Sequence, residues 1–290
     1  MPTYMLTLDV EEGEADDLGA LLFDAGAAGV EVRDSTVVPM PGARRPGAGR
    51  ALVLASFSTN ADAVAAAQAL GRPPDIAEVP DEDWGERWKR DLAPFSVGRV
   101  FIRFSWSEAA APAGAVEVVL DPGMAFGTGT HATTSLCLAA IDRLLAVRPG
   151  ASVLDVGTGS GLLAIAARKL GAARVAGTEN DPVALRVAEE NAARNGVALE
   201  LALAPPDEVP GAFDVVVANI LANTLVALAP GIAAKVAPGG ALLLSGLLAG
   251  QEDAVREAYV AAGLAADPAA DAAEGEWRLV ALARPAAGRA

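Results

Sequence analysis

A glycine-rich turn followed by an acidic residue predicts a binding site for a nucleoside. In VLDVGTGSGLLAIAA, over 153–167, an apolar strand leads into three alternate glycines and then into a helix: Gly157, Gly159 and Gly161. Glycines at such a turn let the backbone approach a ligand closely at the carboxyl edge of a sheet. Glu179 ends the next predicted strand, and a carboxylate at that place can accept hydrogen bonds from both hydroxyls of a ribose.

Two cofactors that contain a nucleoside, NAD and S-adenosylmethionine, could occupy such a site. The turn has the spacing G-x-G-x-G, because residue 162 is leucine. Dinucleotide-binding turns have the spacing G-x-G-x-x-G, so the spacing favours S-adenosylmethionine. The structural alternative is a plain strand, turn and helix of an unrelated α/β fold.

The end of a later strand predicts where chemistry takes place. The strand FDVVVA, over 213–218, is followed by Asn219 and Ile220. The side-chain oxygen of Asn219 and the backbone carbonyl of Ile220 can both accept a hydrogen bond from an amino group. Together they would direct a nitrogen lone pair at a methyl group, so we predict that this pair is catalytic. Taken alone, Asn219 is equally well explained as a turn residue that ends a strand.

A second stretch rich in glycine and threonine, LDPGMAFGTGTHATTSLCL over 120–138, precedes a helix. Such a loop can fold over a ligand and place Thr133 or Thr134 at the N-terminus of the helix, where backbone N–H groups lack helical partners. The stretch lacks the Gly-Lys-Ser/Thr sequence of a Walker motif, which argues against an NTPase.

The composition argues against several other classes of protein. With 22 Lys and Arg against 37 Asp and Glu, the formal net charge is −15, which disfavours direct binding to nucleic acid or to an anionic membrane. One cysteine and one histidine exclude an intramolecular disulfide and a metal site built from several such residues. The N-terminus does not resemble a signal peptide. We expect a cytoplasmic monomer without a metal ion.

The order of predicted elements divides the chain into three parts. Residues 1–75 read strand, helix, strand, strand, helix, which predicts a small α+β domain of ferredoxin-like type. Residues 76–105 are predicted to form a linker and a short hairpin. From about residue 130 strands alternate with helices, which predicts a parallel sheet covered by helices on both faces. We assign 106–290 to this α/β domain.

Four segments resemble one known family: DPGMAFGTGTHATTSLCL, LDVGTGSGLLAIAARKLGA, NDPVALRVAEENAARNG and VVVANILANTL. They are similar to the PrmA family of S-adenosylmethionine-dependent methyltransferases, which modify large-subunit ribosomal protein number eleven. The resemblance implies a class I, Rossmann-like domain with seven strands, of which the last, 277–283, is antiparallel. It also implies that the small N-terminal domain docks the ribosomal protein.

The resemblance further implies which residues bind the cofactor: Thr134, Gly157, Glu179 and Asn219, with Gly159 in the same turn. The family commonly has aspartate where this chain has Glu179, whose side chain is longer by one methylene group. The implied reaction is methylation of amino groups of the ribosomal protein, on lysine side chains and on the N-terminal amine.

The remaining alternatives concern the substrate. Residues 1–34 contain nine acidic residues and one arginine, which form either a solvated face or a surface complementary to a basic ribosomal protein. A related protein-lysine or small-molecule N-methyltransferase with a different substrate is a second interpretation. The third is a cofactor-binding module without catalysis, against which the sequence Asn219-Ile220-Leu221 argues.

Overall fold

The computed structural model describes residues 3–33, 46–47, 49–79, 92–121 and 131–286. The chain divides into two compact units, Met1–Asp91 and Leu92–Ala290. The division falls inside the predicted linker, 76–105. The three predicted ranges, 1–75, 76–105 and 106–290, remain predictions.

The first unit has the predicted ferredoxin-like order, with one strand more. Its elements are β1 (Thr3–Glu11), α1 (Ala15–Asp24), β2 (Gly29–Arg33), β3 (Arg50–Phe57), α2 (Asn60–Ala69) and β4 (Ile76–Val79). The strands form one antiparallel sheet in the order β2-β3-β1-β4. Alternate residues of β1 are buried against β3 and both helices: Leu6, Leu8 and Val10. The sequence does not predict β4, because a strand of four residues is too short to show a clear period.

The second unit has the predicted alternation of strands and helices. Its strands are β5 (Phe95–Val97), β6 (Val100–Phe104), β7 (Val116–Leu120), β8 (Ser152–Val156), β9 (Arg174–Glu179), β10 (Glu200–Leu203), β11 (Phe213–Asn219), β12 (Val236–Leu248), β13 (Ala265–Ala266), β14 (Ala272–Glu274) and β15 (Trp277–Ala283). Its helices are α3 (Ala132–Val147), α4 (Leu162–Lys169), α5 (Pro182–Arg194), α6 (Ala222–Ala227), α7 (Ala229–Ala234) and α8 (Glu252–Ala261).

The large sheet of this unit is Rossmann-like. Its strands follow the order β10-β9-β8-β11-β12-β15-β13, and the short strand β14 pairs with β15 as an eighth. Strands β8 to β12 are parallel, and β15 runs antiparallel to β12, which confirms the expected orientation of the last strand. Val215, Val216 and Val217 of β11 are fully buried, as in a central strand that is covered on both faces.

A smaller sheet consists of β5, β6 and β7. The predicted hairpin is present, because β5 and β6 pair in antiparallel orientation. Strand β7 pairs with β6 in parallel orientation, which the sequence does not predict. The connection between β6 and β7 spans residues 105–115 and is not a tight turn. The sequence therefore contains no local signal that the two strands pair.

The sequence predicts a single helix over 223–236 after β11, and the structure differs. This segment forms two short helices, α6 and α7, and Val236 already belongs to β12. Pro230 lies in the first turn of α7, where its missing N–H is tolerated, whereas inside a longer helix it would remove a hydrogen bond. In the part of the chain that the structure describes, no helix is both long and apolar enough to cross a membrane.

Candidate active site

The register of the parallel strands brings the predicted site residues to one edge of the sheet. Thr178 of β9 lies opposite Val156 of β8, and Val156 lies opposite Ala218 of β11. Asn219 lies opposite Ser245 of β12. The residues that end or follow these strands therefore meet at the carboxyl edge, which is where sheets of this class bind ligands.

The turn after β8 has a backbone that glycine adopts more readily than other residues. Its three glycines have φ angles of +72°, +53° and +81° in chain order, all in the left-handed region. The N–H groups of Gly157 and Thr158 both donate to the carbonyl oxygen of Thr178 at 2.9 Å, which ties the turn to β9. A Cβ on Gly161 would lie 3.2 Å from the Cα of Ala188, so this glycine also lets α5 pack closely.

Three backbone N–H groups fix the carboxylate of Glu179. Its Oε2 accepts a hydrogen bond from the N–H of Gly159 at 2.9 Å. Its Oε1 accepts from the N–H groups of Asn180 at 2.8 Å and Asp181 at 3.2 Å. An ionised carboxylate has about four lone-pair positions, so it can accept a further bond from a ligand hydroxyl. The predicted residues Gly159 and Glu179 are thus in direct contact.

Asn219 contacts the helix that follows the glycine- and threonine-rich stretch. Its Nδ2 donates to Oγ1 of Thr134 at 3.4 Å, and Thr134 is buried in the first turn of α3. Because the amide nitrogen is the donor in this contact, the carboxamide oxygen is the atom that can accept a hydrogen bond from an amine. Residues 122–130 of the glycine- and threonine-rich stretch lie outside the described residues.

Ile220 lies against the glycine turn. A Cβ on Gly157 would lie only 2.5 Å from Cγ2 of Ile220, so a side chain at this position would force one of the two to move. The missing side chain of Gly157 therefore allows the predicted catalytic pair to lie beside the predicted cofactor-binding turn. The six predicted residues form three contacting pairs at one edge of the sheet: Gly159 with Glu179, Thr134 with Asn219, and Gly157 with Ile220.

Asp155 is a buried carboxyl group at the start of the glycine turn. It is 1% exposed, and its Oδ2 accepts a hydrogen bond from the hydroxyl of Thr158 at 2.8 Å. Its Oδ1 has no hydrogen-bond partner among the described residues. Burial raises the pKa of Asp155 to about 7, while the bond from Thr158 and the backbone N–H of Ala164 limit the rise. The sequence identifies it only as the acid at the end of a strand.

We expect Asp155 to make folding stability depend on pH. Its pKa in the folded protein lies above the ordinary value of 3.8, so the folded protein keeps a proton that the unfolded chain loses between about pH 4 and pH 7. Stability therefore falls as the pH rises through this window, by at most about 1.4 kcal/mol per pH unit. Urea unfolding at about pH 5 and pH 8 measures the effect, and Asp155→Asn should flatten the slope. An unchanged slope in Asp155→Asn would contradict the assignment.

Two asparagines of the α5 segment hold the edge of β7. Asn191 is fully buried, and its Nδ2 donates to the carbonyl oxygens of Asp121 and Ser160, each at 2.9 Å. Its Oδ1 accepts from the N–H of Asp121 at 2.9 Å. Asn195 makes a similar pair of bonds to the N–H and carbonyl of Val119. These side-chain amides make the hydrogen bonds at the edge of β7 that a neighbouring strand would otherwise make. Asn191 also connects this edge to the glycine turn.

Replacing Asn191 by alanine is expected to lower the free energy of unfolding by about 3 kcal/mol or more, because each unsatisfied buried backbone group costs about 1–3 kcal/mol. Asn195→Ala should cost less, since Asn195 is partly exposed. Urea unfolding of both variants measures the two losses. A loss for Asn191→Ala that does not exceed that for Asn195→Ala would contradict the role of the buried amide.

Cys137 and His131 have structural surroundings. Cys137 is fully buried, and burial raises the pKa of its thiol far above the ordinary value, so it packs as a small hydrophobic residue. His131 is the N-cap residue of α3, and its ring packs edge-on against Trp277, with ring centroids 4.4 Å apart. These contacts account for both residues without a catalytic role.

The residues at this edge of the sheet fit S-adenosylmethionine. The glycine turn admits a ligand close to its backbone, and the carboxylate of Glu179 matches the two hydroxyls of a ribose. No feature of the turn has the spacing that a dinucleotide requires.

Comparison with known proteins links the chain to one family. A sequence model described as ribosomal protein L11 methyltransferase (PrmA) matches residues 3–285. A relative of that name from Myxococcus xanthus is 44% identical over 289 residues, which are 97% of this chain and 99% of the relative. Another from Pectobacterium atrosepticum is 42% identical over 288 residues, which are 94% of this chain and 96% of the relative.

A solved structure gives the same result. The crystal structure of a ribosomal protein L11 methylase from Lactobacillus delbrueckii subsp. bulgaricus is 35% identical to this chain, with a TM-score of 0.60. The match covers 67% of this chain and 98% of that chain.

Proposed function

This chain belongs to the ribosomal protein L11 methyltransferase (PrmA) family, and we propose that it methylates amino groups of ribosomal protein L11 with S-adenosylmethionine as methyl donor. Ribosomal protein L11 is protein number eleven of the large subunit. The proposed targets are its lysine side chains and its N-terminal amine. The observation that carries the proposal is the contact between Ile220 and Gly157, which joins the predicted catalytic pair to the cofactor-binding turn.

S-adenosylmethionine supplies an activated methyl group on a positively charged sulfur. The residues of the chain bind and orient the reactants. The carboxylate of Glu179, fixed by the N–H of Gly159, holds the ribose hydroxyls. The carboxamide oxygen of Asn219 and the carbonyl oxygen of Ile220 accept the N–H groups of the target amine and so orient its lone pair.

The target amine must be neutral to act as a nucleophile. A lysine with a pKa near 10.4 costs about 5 kcal/mol to deprotonate at pH 7, and an α-amine with a pKa near 8 costs about 1.4 kcal/mol. The two proposed acceptors are uncharged, so they do not hold the ammonium form as a carboxylate would. We therefore assign most of the catalytic effect to positioning, with no dedicated base.

The acidic residues of the first unit support a basic protein as its partner. Glu11, Glu12 and Glu14 are exposed at the end of β1 and in the turn that follows. Arg50 pairs with Asp9 and Glu11 and offsets part of this charge. A negative surface attracts a positive partner and raises the rate of their encounter. We assign docking of the ribosomal protein to this unit.

The proposal is tested on purified L11 in three forms: unmodified, with an acetylated N-terminus, and with acetylated lysines. Each form is incubated with the full-length protein and S-adenosylmethionine, and peptides are examined by mass spectrometry. We expect methyl groups on lysines in the first two forms and on the N-terminal amine in the first and third. L11 without methyl groups in all three forms would overturn the proposal, and transfer to another substrate would favour a related N-methyltransferase.

A further inference from the structure

Strand β12 contains a glycine at an irregularity beside the predicted catalytic pair. Gly246 has a φ angle of +85°. The pairing of β12 with β15 passes from Leu244 opposite Val280 to Leu247 opposite Arg278. Strand β12 therefore has one more residue than β15 between these two pairs, which makes a β-bulge. Bulges are frequent beside active sites, where they redirect the backbone.

The backbone of Ile220 lies against Gly246. A Cβ on Gly246 would overlap the carbonyl oxygen of Ile220 and would lie 2.9 Å from its carbonyl carbon and 3.1 Å from its nitrogen. All three are backbone atoms, so rotation of a side chain would not relieve the overlap. The Cγ2 of Ile220 lies 2.5 Å from the Cβ position of Gly157. Ile220 is thus held between two glycines, one on the cofactor-binding turn and one on β12.

We propose that Gly246 is a positioning residue for methyl transfer. Because it lacks a side chain, the carbonyl oxygen of Ile220 can lie where it accepts a hydrogen bond from the target amine. The inference rests on the proposed function, in which Ile220 is that acceptor. Gly246 itself acts only through Ile220. The sequence gives a weak signal, since a glycine inside the apolar run ALLLSGLL marks a bulge or a close backbone approach.

Two other glycines of β12 provide matched controls. Gly239 also has a positive φ angle, +76°, but its Cβ position has nothing within 4 Å. Gly239→Ala therefore has the backbone strain of Gly246→Ala without the close approach. Gly240→Ala would crowd the carbonyl oxygens of Ala237, Phe213 and Asp214, at 2.8, 3.0 and 3.1 Å, the last two at the opposite end of β11. It reproduces backbone crowding between the same two strands, away from the candidate active site.

The experiment measures methyl transfer to L11 and the affinity for S-adenosylmethionine, by calorimetry, for the wild type and the three alanine variants. We expect Gly246→Ala to lower kcat by about 10- to 100-fold, because a misplacement of about 1 Å can cost that much. Its cofactor dissociation constant should change by less than about threefold, since that binding does not use the Ile220 carbonyl. Gly239→Ala and Gly240→Ala should lower the unfolding temperature but keep kcat within about threefold of the wild type.

Equal kcat values for Gly246→Ala and Gly240→Ala would overturn the inference, as would a loss of cofactor affinity as large as the loss of turnover. Wild-type protein that transfers no methyl group to L11 would overturn the proposed function and, with it, this inference. With an active wild type, the variants test the inference alone.

Ile220 gives a second test if Gly246→Ala does not fold. Val260→Ala truncates an exposed apolar side chain of α8 and leaves the contact of Ile220 with Gly157 in place, so we expect it to retain turnover. Ile220→Ala loses that contact, and we expect a loss of about tenfold in kcat with little change in cofactor affinity. Equal turnover of the two variants would show that turnover does not depend on how Ile220 is held between its two glycines, and it would overturn the inference.

Discussion

Replacing Asn219 by alanine is expected to lower kcat for methyl transfer to L11 by about 100-fold, far more than it weakens S-adenosylmethionine binding, which should fall by at most about tenfold. In the proposed mechanism the carboxamide oxygen orients the target amine, and without it the one remaining acceptor, the carbonyl of Ile220, would leave the amine free to rotate. The contact with Thr134, at 3.4 Å, is long for a hydrogen bond, so its loss should affect stability little. Steady-state kinetics and calorimetry on the same preparations measure the two effects.

Two variants sharpen the test of Asn219. Asn223→Ala removes an exposed carboxamide four residues further along, whose oxygen accepts from the N–H of Thr224 at 2.9 Å, and it should behave as the wild type. Asn219→Asp keeps the shape but adds a negative charge, which favours the unreactive ammonium form of the amine. We expect Asn219→Asp to be slow as well, with a shift of its activity towards higher pH. Near-normal turnover of Asn219→Ala would show that the catalytic assignment is wrong.

Replacing Glu179 by alanine is expected to show the opposite balance, with a cofactor dissociation constant raised about 100-fold. Hydrogen bonds to a charged group contribute about 1.5–3 kcal/mol each, and about 1.4 kcal/mol corresponds to a factor of ten in affinity. At saturating cofactor, kcat should remain within about threefold of the wild type, because the proposed contact of Glu179 is with the ribose and not with the reacting atoms. Calorimetric titration measures the affinity.

Glu189→Ala is the matched control for Glu179, because Glu189 is an exposed acid on α5 and its removal changes the net charge equally. Glu179→Asp restores the residue that is common in the family and should bind the cofactor within about tenfold of the wild type, because the carboxylate is retained. It is expected to weaken the bond to the N–H of Gly159, since the side chain is shorter. Unchanged affinity in Glu179→Ala would exclude the role of Glu179 as the ribose ligand.

Much of the second unit is predictable from sequence because local signals coincide there. The run SVLDV followed by alternate glycines marks both the end of β8 and the start of α4. At Asp181 and Pro182, a capping residue and a proline mark the start of α5. The spacing of glycines and the acid at the end of β9 also predict the candidate nucleoside site. The proposed roles of the site residues stay a prediction until the variants are measured.

The features that sequence does not predict depend on contacts between distant segments. Asn191 bonds to Asp121, 70 residues away, and nothing near Asn191 in the sequence indicates such a partner. Gly246 is one glycine in an apolar strand, which gives only a weak signal of a bulge, and its proposed role rests on the approach of Ile220. The raised pKa of Asp155 comes from burial under the glycine turn, which depends on the packed structure.

The most direct test of the proposed function uses all the proteins of the large ribosomal subunit. They are prepared without methylation, incubated with the full-length protein and S-adenosylmethionine, and weighed individually by mass spectrometry, with Asn219→Ala in parallel. The proposed function predicts that L11 alone gains mass, in whole methyl groups, and that L11 gains little mass with Asn219→Ala. An L11 of unchanged mass, or methyl groups on another ribosomal protein instead, would contradict it.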